Sequence, residues 1–414
     1  MKARAVLPAC CGALFWGANN VSNAPADRLF QHPDVAPRTR ILVMGLGGAG
    51  CNSVANMSLS WREGPPVVAV NTDTQALAGC GAPRVLQIGA SATQGLGANG
   101  DPNIGRLAME ESIEQLKELL ENLDILFLVI GLGGGTGSGG APLLLQVAHQ
   151  LGIMTICFAT RPFEFEGEAR KRQAEETLKA VQRAADAVVV LPNEKLVDLV
   201  SPNAGLPEAF RISDEQVAAT IHALWHLLGF RGVMNLDFAD LRSLVEKSRG
   251  LCRFGFGAAE GPARVASAVK ALTDSPYLNQ GAALAEASAV LINITGGPDL
   301  TLADMHGIMN QLGKITRPGA DMYFGARIDS AMKNRVELTT IVTDEQVADT
   351  GKPAPRVVME EVSTRKGKAT TQTILPLQTE DKGKFANVAP TTFRGEDIDI
   401  PTYIRRGYKL SFER

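Results

Sequence analysis

The sequence predicts an α/β protein: a Rossmann-type parallel sheet wrapped by helices, joined by one long central helix to a smaller α+β domain. Three observations lead there. From Ile41 onward, apolar runs of strand length alternate with runs of helical period, the pattern of strands connected through crossover helices. Two of the strand-to-helix junctions are crowded with glycine. A long helical stretch near the middle is followed by a second group of strand-like runs.

Residues 41–44 (ILVM) are the first expected strand, and residues 45–52 (GLGGAGCN) lead from it into a helical segment at 53–57. Gly45, Gly47 and Gly50 satisfy G-x-G-x-x-G, and Asp73 follows the next expected strand, 67–70. Alone, this is the dinucleotide fingerprint, so an NAD(P)-binding oxidoreductase is one reading. That reading leaves a second, richer loop unexplained. The expected strand 125–130 runs into LGGGTGSGGAP at 132–142, and a helix is expected over 141–151 with Pro142 in its first turn. Without a Cβ, backbone N–H groups turn inward against a bulky anion, and a helix N-terminus aims at the same place. A tight turn that needs glycine only for packing is the plainer reading of one glycine pair, not of this run. No G-x-x-x-x-G-K-[ST] occurs, so no P-loop lysine is available. Two loops closing on one nucleoside triphosphate, held by backbone amides, hydroxyls and a metal, fit this pattern.

Further strands are expected at 154–159 and 187–191. The long helix covers 214–228 with Ser213 as N-cap, and three more strands fall at 289–294, 322–328 and 336–342. After Thr343 periodicity is lost; Pro353, Pro355, Lys366 and Lys368 mark a polar linker, and residues 398–410 regain apolar and basic character together.

The bulk composition is globular: 45% hydrophobic and 21% charged residues in 414, which is long for a single core. A net charge of −3 and 5% aromatic residues give no reason to expect nucleic-acid binding. The six cysteines show no C-x-x-C or metal-ligand spacing, as expected of reduced cytosolic thiols. No apolar run reaches transmembrane length. At the N-terminus, Lys2 and Arg4 precede an apolar stretch with a lipoprotein-like Leu7-Pro8-Ala9-Cys10, but too few residues come before Cys10 for a hydrophobic signal region. A transit peptide is conceivable because the first acidic residue is Asp27, and a disordered extension is the reading adopted.

The run GGGTGSG at 133–139 resembles the tubulin signature loop, GGGTGTG in the FtsZ family, with Ser138 for the second threonine. The resemblance continues through NTDTQAL (71–77), GLGA (95–98), RPFEFEG (161–167), NLDFAD (235–240) and NITGGPDL (293–300), in the family's order, and through the tail block DIPTYIRR (399–406). It implies a tubulin/FtsZ-like GTPase domain and the following division of the chain: an N-terminal extension (1–39), a GTP-binding domain (40–212), a central helix (213–231), a C-terminal α+β domain opening with the catalytic loop (232–345), a flexible linker (346–395) and a partner-binding peptide (396–414).

Residue by residue, the resemblance assigns Gly48, Ala49, Gly50, Cys51 and Asn52 to the nucleotide through the first loop, with the Cys51 side chain turned away from the phosphates. It wraps Gly134, Gly135, Thr136, Gly137 and Ser138 around the phosphates. Glu166 goes to the ribose and Arg170 near the base and phosphates; read from spacing alone, the two share a helix face and make an i,i+4 surface ion pair worth ~0.3–0.5 kcal/mol. Phe210 stacks on the base and Asp214 accepts from guanine N1 and N2, a pairing adenine lacks. Without the resemblance, Asp214 is a charge at a helix N-terminus. Asp237 and Asp240 are three apart, which fits ordinary helix capping; the family instead sends them, with Asn235, to the nucleotide of the next subunit to position the attacking water.

The implied function is GTP-dependent head-to-tail polymerisation into division-ring filaments, with GTP hydrolysed to GDP at the subunit interface. The implied cofactors are GTP/GDP and Mg2+, the metal held mainly by phosphates and water rather than by side chains. The implied partners are further copies of the chain and, through Ile400, Pro401, Tyr403, Ile404, Arg405 and Arg406, a membrane-tethering division protein of the FtsA or SepF type. The implied location is cytoplasmic, in a mid-cell ring on the inner face of the membrane, without direct membrane insertion. Two alternatives are a tubulin-like filament protein that does not hydrolyse GTP, and the oxidoreductase.

Overall fold

The computed structural model of the chain describes residues 39–343, except Arg62, Pro202, Ala204, 230–233, 235–237 and 248–250, together with 392–393 and 396–397. Six parallel strands come first in the chain. β1 (Ile41–Leu46) leads into α1 (Gly47–Ser60), β2 (Val67–Asn71), α2 (Thr74–Gly79), β3 (Val85–Gln87), α3 (Ala90–Thr93), α4 (Pro102–Glu111) and α5 (Ile113–Leu120). Then follow β4 (Ile125–Gly131), α6 (Gly135–Gln150), β5 (Met154–Arg161), α7 (Glu168–Ala184) and β6 (Ala187–Pro192). The rest comprises α8 (Leu206–Gly229), α9 (Phe238–Lys247), β7 (Leu251–Glu260), α10 (Arg264–Thr273), α11 (Ala282–Glu286), β8 (Ala289–Gly296), α12 (Leu302–Ile315), β9 (Asp321–Ile328) and β10 (Arg335–Thr343).

All ten strands form one sheet in the order β3-β2-β1-β4-β5-β6-β7-β10-β8-β9. β7 is the joint: it runs parallel to β6 at Val188 and Val189 and antiparallel to β10 from Cys252 to Glu260. Parallel strands buried on both faces read as continuous apolar runs whose side chains alternate. Ile41, Val43, Phe127 and Phe158 pack on one face with Val217, Ile221 and Leu224 of α8. Leu42, Met44, Leu126 and Leu128 pack on the other with Leu116, Leu144 and Val181 of α5, α6 and α7. A third cluster joins Ala268 and Leu272 of α10 and Ile308 of α12 to Val290, Ile292 and Leu338.

The eight expected strands are present, most of them a residue or two longer; β3 and β7 were not expected. Gly255 and Gly257 make β7 look broken, yet they let α10 and the turn after it sit directly on the strand. A Cβ on Gly257 would lie 2.4 Å from the Ala268 carbonyl oxygen. Three helix starts are corrected. α1 and α6 begin inside their glycine runs, so Pro142 lies inside α6, where it removes the bond to the Ser138 carbonyl. α8 begins at Leu206 with Pro207 in its first turn, so Ser213 is an interior residue and not an N-cap, and Asp214 is not at a helix N-terminus. Residues 392–393 and 396–397 form a short antiparallel pair. Among the described residues, no helix is long and apolar enough to cross a membrane.

Candidate functional site

The chain proceeds from β1 outward to β2 and β3, then returns to place β4 on the other side of β1. At such a switch point the loops after the two strands diverge and leave a crevice at their carboxyl ends. A cavity of about 350 Å³ lies there, with walls contributed by the start of α1 (Gly47, Gly48, Ala49), the end of β4 and the start of α6 (Gly131, Gly134–Gly137), segment 96–100, and Asn71, Asp73 and Arg170.

The glycines in these walls do two different jobs. Some permit close packing: a Cβ on Gly50 would meet the Val129 carbonyl oxygen at 2.3 Å, and one on Gly139 would meet the Pro102 carbonyl oxygen at 1.9 Å. Others face open space, since nothing lies within 4 Å of a Cβ on Gly48 and only the Gly131 oxygen, at 3.9 Å, approaches one on Gly134. The hydroxyls brace the loop from behind. Ser138 Oγ accepts from the Gly133 N–H (2.9 Å), and Thr136 Oγ1 shares a 2.7 Å bond with Thr72 Oγ1, all buried.

Asn71 is 3% exposed; its Oδ1 accepts from the Thr72 N–H, while Nδ2 has no hydrogen-bond partner among the described residues. A buried amide donor left unpaired costs about 1–3 kcal/mol, and Asn71 lies in the cavity wall. The glycine-lined backbone and the Arg170 guanidinium suit an anionic, phosphate-bearing ligand. Asp73 is the carboxylate of the lining, and its Oδ1 is occupied as the N-cap of α2 by the N–H groups of Gln75 and Ala76.

Glu166 and Arg170 do not share a helix: Gly167, with φ of +99°, separates a 3-10 turn holding Glu166 from α7. They nonetheless form an ion pair of 2.8 Å, and Glu166 also accepts from the Phe163 N–H (2.8 Å). Phe210 is partly exposed and meets Phe163 edge-on at 5.9 Å; Phe163 in turn stacks on Phe165 at 4.7 Å. One turn along α8, half-buried Asp214 accepts from Asn56 Nδ2 at 2.8 Å. Burial pushes the Asp214 carboxyl above its ordinary value, and hydrogen bonds from Asn56 and Ser53 draw it back.

Of the residues predicted for this site, the cavity brings together Gly48, Ala49, Gly134, Gly135, Thr136, Gly137 and Arg170. Gly50 and Ser138 lie behind its wall. The Cys51 thiol points into the sheet toward the Val70 carbonyl (3.4 Å), and burial pushes its pKa to about 12. Asn52, Glu166, Phe210 and Asp214 lie outside the lining. Asp240 is in the first turn of α9, which packs on β8 and β10; Asn235 and Asp237 fall outside the described residues, as does the tail block 399–406.

Sequence reasoning missed Asn71, Asp73 and segment 96–100 as walls, although the NTDTQAL and GLGA blocks mark them. It also missed Gln173, whose Nε2 donates to the Gly134 (2.9 Å) and Gly100 (3.1 Å) carbonyls and ties two walls together. Its spacing of three from Arg170 puts it on the same face of α7.

Comparison with known proteins fits this geometry. Residues 40–201 match the Tubulin/FtsZ family GTPase domain, and residues 250–346 match the FtsZ family C-terminal domain. The chain is 36% identical over 316 residues to the cell division protein FtsZ of Pseudomonas aeruginosa, covering 76% of this chain and 80% of that one. It is 37% identical over 306 residues to cell division protein FtsZ 1 of Archaeoglobus fulgidus, covering 74% and 82%. The solved FtsZ dimer of M. jannaschii superposes with a TM-score of 0.68 at 35% identity, over 75% of this chain and 89% of that one. The chain belongs to the tubulin/FtsZ family and carries that family's GTPase domain.

Proposed function

We propose that this chain assembles head to tail into GTP-dependent filaments of a division ring, and that each bound GTP is hydrolysed with acids supplied by the next subunit. The domain ahead of α8 holds the nucleotide, α8 (Leu206–Gly229) is the central helix, and the domain after it presents the catalytic loop. Gly48, Ala49, Asn52 and Gly134–Gly137 surround the phosphates with Asn71. Glu166, Arg170, Phe210 and Asp214 serve the ribose and guanine, while Gly50, Cys51 and Ser138 shape the loops. Mg2+ is held mainly by phosphates and water.

The observation that carries this reading is the separation of Asp240 from the cavity within one chain. β4, at the cavity, and β10, beneath α9, are four strand spacings apart in the sheet, roughly 20 Å. Asp73, the carboxylate at hand, is engaged in capping α2. An attacking water therefore needs its acid from elsewhere, and a head-to-tail neighbour supplies Asp240 with Asn235 and Asp237. Relatives named for cell division and a solved dimer in the same family support self-assembly in that role. The oxidoreductase alternative leaves the loop after β4 and residues 235–240 without a role.

The tail residues Ile400, Pro401, Tyr403, Ile404, Arg405 and Arg406 are proposed to seat in the groove of an FtsA- or SepF-type tether, which places the filament in the cytoplasm at the mid-cell membrane. The test is sedimentation of the purified chain: filaments pellet with GTP and not with GDP or NAD. Equal pelleting with all three would overturn the proposal.

A further inference from the structure

Along α1, Ala49, Ser53 and Asn56 are spaced four and three apart and share one face. Ala49 lines the cavity, and Asn56 lies roughly 10 Å further along the helix axis. That span suits a nucleotide with its phosphates at the glycine loops and its base alongside α8. At the far end, Asn56 Nδ2 donates to Asp214 Oδ2 at 2.8 Å. An ionised carboxylate only accepts, so the amide nitrogen must be the atom that faces it.

We infer that Asn56 is a positioning residue for guanine selectivity: it fixes one oxygen of Asp214 so that the carboxylate stays ionised and aimed at the base. This rests on the proposed reading of Asp214 as the group that recognises guanine.

The electrostatics explain why such a residue is needed. Removal from water works against the charged form of Asp214. The neighbouring charges do not help. Glu215, next on α8, pushes the same way, although Arg211 pairs with both Glu215 and Glu208. The hydroxyl of Tyr277, in the turn at 276–278, bonds Ser213 at 3.1 Å and contributes no positive charge. Support for the ionised form comes from the Asn56 and Ser53 donors on α1. A protonated Asp214 would present a hydrogen toward guanine N1–H and lose the paired acceptance on which selectivity depends.

The test uses the full chain with GDP and inosine diphosphate as probes, the latter lacking the 2-amino group, in titrations across pH. Asn56→Ala should weaken GDP binding by about tenfold, the worth of one charge-assisted bond. It should also narrow the preference for GDP over inosine diphosphate and move the acid limb of GDP binding to higher pH. Asn56→Asp, which replaces the donor with a like charge, should move that limb further. Because Asn56 is exposed, both variants should fold, and any fall in the urea unfolding midpoint should be small and track the raised carboxyl of Asp214. Asp214→Ala, run in parallel, should abolish the preference. If Asp214→Ala does so while Asn56→Ala leaves both preference and acid limb unchanged, Asn56 does not position the carboxylate. If Asp214→Ala itself leaves the preference intact, the base reading fails and takes this inference with it.

Discussion

Glycine at positions 48 and 139 carries opposite meanings, although both lie in runs that look alike in the sequence. Gly48 opens onto the cavity, whereas Gly139 sits against the Pro102 carbonyl with no room for a methyl group. Both are helical positions, where alanine gains up to ~1 kcal/mol of propensity over glycine. At Gly48 that gain is unopposed, so Gly48→Ala should leave the unfolding midpoint unchanged or slightly raised. The new methyl would then stand where phosphates approach, and GTP affinity should fall at least tenfold. At Gly139 a 1.9 Å contact with backbone cannot relax cheaply, so overpacking of about 1–3 kcal/mol should exceed the gain and lower the midpoint. Equal loss of stability in the two variants would show that the glycines are not divided in this way. The glycine runs made the site legible; which glycine faces a ligand and which faces a neighbouring backbone depends on packing between α4 and α6, and no local pattern encodes it. The same holds for Ser138, which looks like a phosphate contact in the sequence and braces its own loop in the structure.

At the scale of elements, the parallel strands were legible because burial on both faces leaves long apolar runs, and α8 because its apolar face repeats at helical period. The start of α8 was hidden by Pro207, which breaks a helix interior but suits a first turn. β7 was hidden by glycines that serve contact with α10. What α8 does with its polar residues was also out of reach. His222 and His226, one turn apart, meet at 4.5 Å, and His222 stacks on Trp61 at 6.0 Å with Nε2 2.9 Å from the Glu63 carbonyl oxygen. Burial, with Arg327 of β9 and His222 adding to it, pushes His226 down to about 3; burial likewise lowers His222, against the pull of Glu63 and Asp329. A histidine depressed in the folded state contributes stability that is complete above its unfolded value of 6.5 and is lost as pH falls toward the folded one. The limit is about 1.4 kcal/mol per pH unit for a fully shielded ring, and less for these partly buried ones. Between pH 7 and pH 5 the urea midpoint should therefore fall, and His226→Phe should flatten the fall. A variant that loses as much as the parent over that range would remove the histidines from the account.

At the scale of the whole molecule, one continuous sheet keeps the cavity and α9 in fixed places, so a single subunit cannot fold its Asp240 back onto its own nucleotide without breaking strand pairs. The sequence showed two groups of elements and a long helix between them, but not β7, the strand that makes the two groups rigid with respect to each other. In the proposed function that rigidity turns a separation into a mechanism: the active site would be complete only where one subunit's cavity meets another's catalytic loop, and hydrolysis would be a property of the contact. Specific GTPase activity should therefore be close to zero below a critical concentration and rise sharply once filaments form. Asp240→Ala should bind GTP and assemble, with filaments that persist because their nucleotide does. Gly48→Ala offers the complementary defect, an intact Asp240 beside a poorly filled cavity. At a GTP concentration too low to load Gly48→Ala, mixing the two variants should restore part of the activity, since some interfaces then pair a loaded Asp240→Ala cavity with the Asp240 of a Gly48→Ala neighbour. Activity that stayed constant per subunit on dilution to monomer, with no gain on mixing, would mean that each chain hydrolyses its own nucleotide, and the acids at 235–240 would have to be given another role.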